Sequence, residues 1–322
     1  MARISIVTPA RAGARNGNRH TAHRWAGFLR ELGHRVSIGT QWDEMRGGMR
    51  CDLLLALHAH RSHGSVAEFR RQHPHNPLAV VLTGTDLYRD LPVSGEARES
   101  LRLADRVIVL QGDALRLLNK STRKKARVVY QSAKPSLHHS PSKAPFRVAV
   151  VGHLRNEKDP FRAALALAHL PQGIEVVQVG DALSPEYDAE AKKHMTRDRR
   201  YRWLGGRTHA QALGWIARSH LLVVSSVMEG GANVISEAAR IGTPVLASRV
   251  SGNLGMLGAR YPGYFPLFDE RALARLLLKA SRGKAFYGTL KKALRSRRHL
   301  FAPAAERAAL GRVVSEALGR GA

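Results

Sequence analysis

The sequence predicts an α/β protein made of two doubly wound parallel-sheet domains that face each other across a cleft. Three observations carry this. Short β-branched runs alternate with amphipathic helical stretches along most of the chain. A Pro- and Ser-rich stretch without apolar periodicity, SAKPSLHHSPSKAP (132–145), interrupts the alternation and reads as a linker; the alternation then restarts. A length of 322 residues suits two ordinary domains, and 44% hydrophobic with 24% charged residues is a globular composition.

In the first half the strand candidates are ISIVT (4–8), RVSIG (35–39), DLLLALH (52–58), LAVVLT (78–83), RVIVL (106–110) and RVVYQ (127–131). Between the first two, residues 20–32 repeat at helical spacing, with Ala22, Trp25, Ala26 and Leu29 on one face and Gly33 as the stop. After the linker come the strands FRVAVVG (146–152), IEVVQVG (174–180), YRWLG (201–205), LLVVSS (221–226) and PVLAS (244–248). The helices expected between them span 160–169, 186–195, 208–218 and 232–241. The first of these opens at Asp159-Pro160, an acidic cap followed by a residue suited to the first turn. From about 270 the chain is helical and basic, and Pro303 precedes a last helix. The expected division is therefore 1–140, 141–302, and a C-terminal helix over 303–322 that packs back on the first domain.

Composition excludes several classes. The single cysteine, Cys51, rules out an internal disulfide framework and a thiolate zinc cluster, and it suits the cytoplasm. The start, MARISIVTPARAG, reads as no signal peptide, and no segment approaches the roughly 20 apolar residues of a membrane span. A net charge of +27 invites a polyanion, but the arginines scatter from Arg3 to Arg320 and no nucleic-acid-binding motif appears. Specific nucleic-acid binding and membrane attachment are therefore not expected. His58, His60 and His63 crowd one strand end, but no carboxylate with ligand spacing accompanies them, so no metal is assigned. His138 and His139 fall in the linker and are expected in solvent, and Cys51 reads as a structural thiol.

Two segments carry chemistry. In SSVMEGGANVISEAA (225–239) a buried strand ends, a loop carries Glu229, Gly230 and Gly231, and a helix starts near Ala232 and Asn233. The glycines allow close backbone approach, and the new helix end offers free N–H groups to an anion. Glu237, four residues past Asn233, shares its face and is placed for sugar hydroxyls, while Glu229 at the loop tip reaches a second set. In VVGHLRNEKDPFRAA (150–164), Gly152 follows a strand, and Arg155 and Lys158 supply two cations for a diphosphate leaving group. A surface helix with an ordinary turn, and a solvated cation pair beside Glu157, are the plainer alternatives.

The Glu229/Glu237 pair, Gly152-x-Leu154 with Lys158, SGNLG (251–255) and PGYFPLFD (262–269) resemble the GT-B glycosyltransferases of the retaining E-x7-E class. That resemblance implies two Rossmann-like domains, the first (1–140) for the acceptor and the second (141–302) for a nucleotide-diphospho-sugar. It puts Glu237 on the ribose, Glu229 near the sugar and Lys158 on the diphosphate. The class usually carries an arginine after the strand glycine; here that residue is His153, and Arg155 is the candidate substitute.

A narrower resemblance lies in TPARAGARNGNRHTAHRW (8–25), LTGTDLYRDL (82–91), VGHLRNEKDPFRAA, MEGGANV and GNLGMLG with YPGYFP. These are similar to the selenosugar synthases of bacterial selenoneine biosynthesis. They imply transfer from UDP-N-acetylglucosamine or UDP-glucose to selenophosphate, with functional links to a selenophosphate-producing enzyme and a downstream selenoneine enzyme. The residues suit a small anionic acceptor. Arg11, Arg15, Asn16, Asn18 and Arg19 surround Gly13 and Gly17 without apolar walls, and Thr83-Gly84-Thr85-Asp86 with Arg89 closes a second strand end. Retaining relatives often show a histidine where this second loop reads Gly-Thr-Asp. Selenophosphate is already ionised and needs no strong base, and cationic side chains make a metal or other cofactor unnecessary. The alternatives are a GT-B transferase with an oxygen acceptor and a noncatalytic anion-binding protein.

Overall fold

The computed structural model describes residues 1–9, 17–42 and 51–319. The chain divides into two compact units, Met1–Gln131 with Pro303–Ala322, and Ser132–Ala302.

The first unit contains β1 (Arg3–Val7), α1 (Gly17–Glu31), β2 (Arg35–Gly39), β3 (Leu53–Leu57), α2 (His63–Gln72), β4 (Leu78–Leu82), a π-helical turn (Asp86–Asp90) running into α3 (Leu91–Val93), α4 (Gly95–Leu103), β5 (Arg106–Val109), α5 (Lys120–Lys124) and β6 (Ala126–Val128). The strands form one sheet in the order β2-β1-β3-β4-β5-β6, and every pairing is parallel. Every residue of β3 and β4 is buried, as a sheet covered on both faces requires. The helical stripe of α1 does what its spacing predicts: Ala22, Trp25, Ala26 and Leu29 are all inaccessible. Gly33 follows with φ +83°, the left-handed backbone that glycine tolerates at a helix end.

The second unit contains β7 (Phe146–Val151), α6 (Arg162–Ala166), β8 (Ile174–Val179), α7 (Pro185–Arg197), β9 (Tyr201–Trp203), α8 (His209–Arg218), β10 (Leu221–Val224), α9 (Asn233–Ile241), β11 (Val245–Ser248), α10 (Ser251–Leu257), β12 (Tyr264–Phe265), α11 (Glu270–Arg282) and α12 (Lys284–Arg297). Its sheet runs β12-β11-β10-β7-β8-β9, again all parallel. The order reverses between β7 and β10, and between β1 and β3 in the first unit. A ligand crevice in such a sheet lies at the carboxyl ends of the two strands where the order turns.

The last helix, α13 (Pro303–Ala317), belongs to the first unit. Its Leu310, Val313 and Val314 pack with Ile4, Ile6 and Trp25. Its Glu306, 1% exposed, accepts from Arg24 Nε at 2.9 Å and from Trp25 Nε1 at 2.7 Å. A carboxylate buried this deeply needs both donors.

Three local features differ from the sequence reading. Asp159 does not cap a helix: its φ is +42°, α6 begins only at Arg162, and the carboxylate binds Arg162 Nε at 2.8 Å. The tight turn Asn156–Lys158 just before it forces the reversal, which displaces the helix start. His138 is exposed as expected, but His139 is half-buried. Its amide donates to Ile241 O at 3.1 Å, its ring meets Ser219 O at 3.0 Å, and burial lowers the imidazole to about 4. The linker is thus fastened to the second unit. Tyr264–Phe265 forms a sixth strand too short for any period to reveal.

Candidate functional site

The turn of the second sheet brings together the segments that the sequence singles out. β7 delivers Gly152, and β10 delivers Ser225, Ser226 and the loop to Glu229. Gly152, His153, Lys158, Ser225, Ser226 and Glu229 are among the residues lining an open pocket of about 300 Å3, counting the space that opens to solvent. Lys158 Nζ donates to Glu229 Oε1 at 2.5 Å, and Ser226 Oγ donates to the same oxygen at 2.6 Å. Glu229 is 8% exposed. An ammonium has three protons, so Lys158 can hold Glu229 and still present two to a phosphate.

The surroundings fix this pair. Ser225 Oγ donates to Asp159 O at 2.8 Å, and Val227 N donates to Glu157 O at 3.0 Å, lacing the Lys158 turn to the β10 loop. A Cβ on Gly252 would lie 2.0 Å from Glu229 O, so only glycine lets α10 approach the loop. A Cβ on Gly180 would likewise lie 2.0 Å from Gly152 O. Ser248 Oγ donates to Ser226 O at 2.5 Å, and buried Asn253 holds Ser248 from α10.

Ala232 precedes α9 with no side-chain cap. The leading amides of the helix, around Asn233 and beyond Gly230-Gly231, are therefore left for an anion. Glu237, one turn in, receives His209 Nε2 at 2.8 Å on Oε1; among the described residues Oε2 has no partner. The hydrogen bond with Glu237 raises the His209 imidazole above its ordinary value. His209 comes from α8, and no sequence spacing marks it. Ser225 and Ser226 were legible only as the end of a strand.

Arg155 is not drawn in. Its Nε lies 3.8 Å from Glu157 Oε2, and His153, not Arg155, lines the pocket.

In the first unit, Arg15 and Asn16, with Arg11 and Gly13, lie outside the described residues. Gly17, Asn18 and Arg19 form the first turn of α1, where Thr21 Oγ1 donates to Gly17 O at 2.8 Å. Thr85 Oγ1 lies 3.0 Å from His58 Nε2. Asp86 is inaccessible; its carboxylate accepts from the amides of Thr83 and Gly84 at 2.8 Å, Ala59 at 3.0 Å and Leu87 at 3.1 Å. It shapes its loop from within. The rings of His58, His60 and His63 turn to different hydroxyls, of Thr85, Ser94 and Ser100.

Residues 138–297 match the family model described as glycosyl transferases group 1. The match covers most of the second unit and just under half of the chain. No curated protein sequence matches the chain significantly. Among solved structures, HepE of Anabaena in complex with UDP and glucose is 16% identical with a TM-score of 0.79, covering 98% of this chain and 100% of its own. Sucrose-phosphate synthase from Thermosynechococcus elongatus is 17% identical with a TM-score of 0.80, over 100% of both chains. A glycosyltransferase from Rickettsia africae is 14% identical with a TM-score of 0.76, over 99% of both. The chain thus has the GT-B fold, and its second unit is the part that the family model matches. Among the described residues no helix is long and apolar enough to cross a membrane.

Proposed function

We propose that the protein is a UDP-sugar-dependent glycosyltransferase that moves N-acetylglucosamine or glucose to the selenium of selenophosphate. The observation that carries the donor half is the Lys158–Glu229 pair beside the uncapped start of α9, at the switch point of a group 1 transferase domain. A diphosphate there meets helix amides and an ammonium, and Glu237 Oε2 is open to a ribose hydroxyl. HepE, of the same fold, binds UDP. The acceptor half rests on the loop similarity and on the Arg- and Asn-rich segment from Arg11 to Arg19, which has the chemistry of an anion site.

In this reading selenium attacks the anomeric carbon as the bond to UDP breaks, and the electron pair leaves on the diphosphate. Lys158 and the α9 amides stabilise that charge. Water then cleaves P–Se, giving the 1-selenosugar and phosphate. No general base is required, because selenophosphate arrives ionised. No metal is required in this reading, because Lys158 and the α9 amides take up the charge on the diphosphate; turnover unchanged by EDTA is the expected result. The reading places the protein in the cytoplasm, between an enzyme that makes selenophosphate and one that consumes the selenosugar.

The test is UDP release from UDP-N-acetylglucosamine and UDP-glucose, with selenophosphate generated in the assay and with phosphate and thiophosphate as controls. Selenophosphate-dependent release, with a selenium-containing sugar by mass spectrometry, is the expected outcome. Equal release without selenophosphate sinks the acceptor and leaves a transferase for an oxygen acceptor.

A further inference from the structure

We propose that His58 is a positioning residue that sets the Thr85 hydroxyl as a hydrogen-bond donor to a tetrahedral oxyanion at the carboxyl end of β4. The inference rests on the reading of Thr85 as an acceptor-site residue, and it adds a histidine that reaches the loop from the neighbouring strand.

His58 follows β3 directly and has φ +75°, a left-handed backbone disfavoured outside glycine. The residue is 1% exposed. Strained backbone at a buried polar residue persists only where the surroundings over-determine it, and here they do. Asp86 Oδ2 accepts from Ala59 N at 3.0 Å, binding the turn after β3 to the loop after β4. Ser62 Oγ donates to Leu57 O at 2.6 Å, closing the same turn.

The ring's hydrogen bonds fix its tautomer. Arg61 N donates to His58 Nδ1 at 3.2 Å, so Nδ1 is an acceptor. The proton of the neutral ring is then on Nε2, which lies 3.0 Å from Thr85 Oγ1 and donates to it. Burial lowers the imidazole and favours this neutral form. Asp90 Oδ2, buried and without a hydrogen-bond partner, lies 3.7 Å from Nε2 and favours the proton there. Asp90 closes a π-helical turn, an irregularity frequent at functional sites.

With Nδ1 committed and Nε2 protonated, His58 has no lone pair for the Thr85 proton and cannot act as its base. Thr85 Oγ1 must accept from His58, which leaves its own proton to donate, and no described residue takes it. A hydroxyl locked in this sense can only donate to a ligand, and that bond is stronger to the charged oxygen of a phosphate-type anion than to a neutral hydroxyl. The negative charge of Asp86 is met by four amides, and Asp90 is paired on Oδ1 with Arg89 Nε at 3.1 Å while its Oδ2 faces the His58 ring.

The test uses the full chain, orthophosphate as the probe and calorimetry, with saturating UDP to occupy the diphosphate subsite. Thr85→Val is expected to weaken orthophosphate binding about tenfold, and Thr85→Ser to restore it to within about twofold. His58→Asn tolerates the left-handed backbone but is too short to reach Thr85, and it should match Thr85→Val. His58→Gln, which can donate at similar reach, should recover most of the loss. The double variant His58→Asn/Thr85→Val should bind no more weakly than Thr85→Val alone, because both remove one bond. Unchanged binding in His58→Asn, full additivity in the double variant, or no orthophosphate binding by the wild type overturns the inference. Orthophosphate binding that depends on His58 without selenophosphate-dependent UDP release upholds the anion site and sinks only the selenium acceptor.

Discussion

Glu229 and Asp86 occupy comparable places, each in a loop at the carboxyl end of a parallel strand, yet their carboxylates have opposite fates. Asp86 is inaccessible and accepts from four backbone amides. Glu229 accepts from an ammonium and a hydroxyl on one oxygen and lines an open pocket. An acid whose lone pairs are filled by the backbone amides of its own and the neighbouring loop is a structural element. An acid whose cationic partner also faces an open pocket can share that cation with an arriving ligand. Both are carboxylates just past the carboxyl end of a parallel strand; what differs is where the donors come from.

The largest effect is expected for Asp86→Ala. It leaves four amides without their acceptor and should destabilise the protein by about 3 kcal/mol or more, read by urea unfolding. A folded Asp86→Ala protein of normal stability, defective only in acceptor binding, would move Asp86 to the ligand-binding class. Lys158→Ala should lower turnover about 10²–10³-fold even after correction for the folded fraction, because it removes the diphosphate's ammonium as well as the cation that holds the buried Glu229. Steady-state UDP release set against thermal melting checks it.

Gly252→Ala probes how Glu229 is held. The new Cβ must displace Glu229 backbone now 2.0 Å from it, at a cost of about 1–3 kcal/mol, and turnover should fall with it. The smallest effects are pH dependences of opposite sign. The raised His209 imidazole contributes stability that is full below its ordinary value and is lost as pH rises through the raised one. The lowered imidazole of His139 contributes stability that is full above about pH 6.5 and is lost as pH falls towards 4. Melting temperatures of His209→Gln and His139→Gln across pH 4 to 9, relative to wild type, should diverge at opposite ends.

Much of the fold was legible because it is written in short periods. RVSIG at 35–39 is β2 to the residue, and the stripe of Ala22, Trp25, Ala26 and Leu29 is the buried face of α1. The donor segments were legible because strand, glycine and helix start follow one another locally in the chain. Arg155 shows where that local reading stops. Its position in the loop is as predicted, but its guanidinium sits by Glu157, and the residue lining the pocket there is His153. The cap expected at Asp159 failed for a related reason: a tight turn just ahead of it sets the backbone angles first.

The sequence by itself determined the alternation that builds the two parallel sheets, the aperiodic stretch 132–145 between them, and the glycine and acid spacings on either side of the helix at Asn233, all of which depend on neighbours within a few residues; the expected division at 140/141 falls at 131/132 in the structure, because His139 fastens the linker to the second unit. Only the tertiary structure decided which of these groups remain available to a ligand. Lys158 meets Glu229 across 71 residues, Thr85 meets His58 across 27, and His209 meets Glu237 across 28. A hydrogen-bond partner and a buried environment are properties of packed strands and helices together, so no period along one segment encodes them.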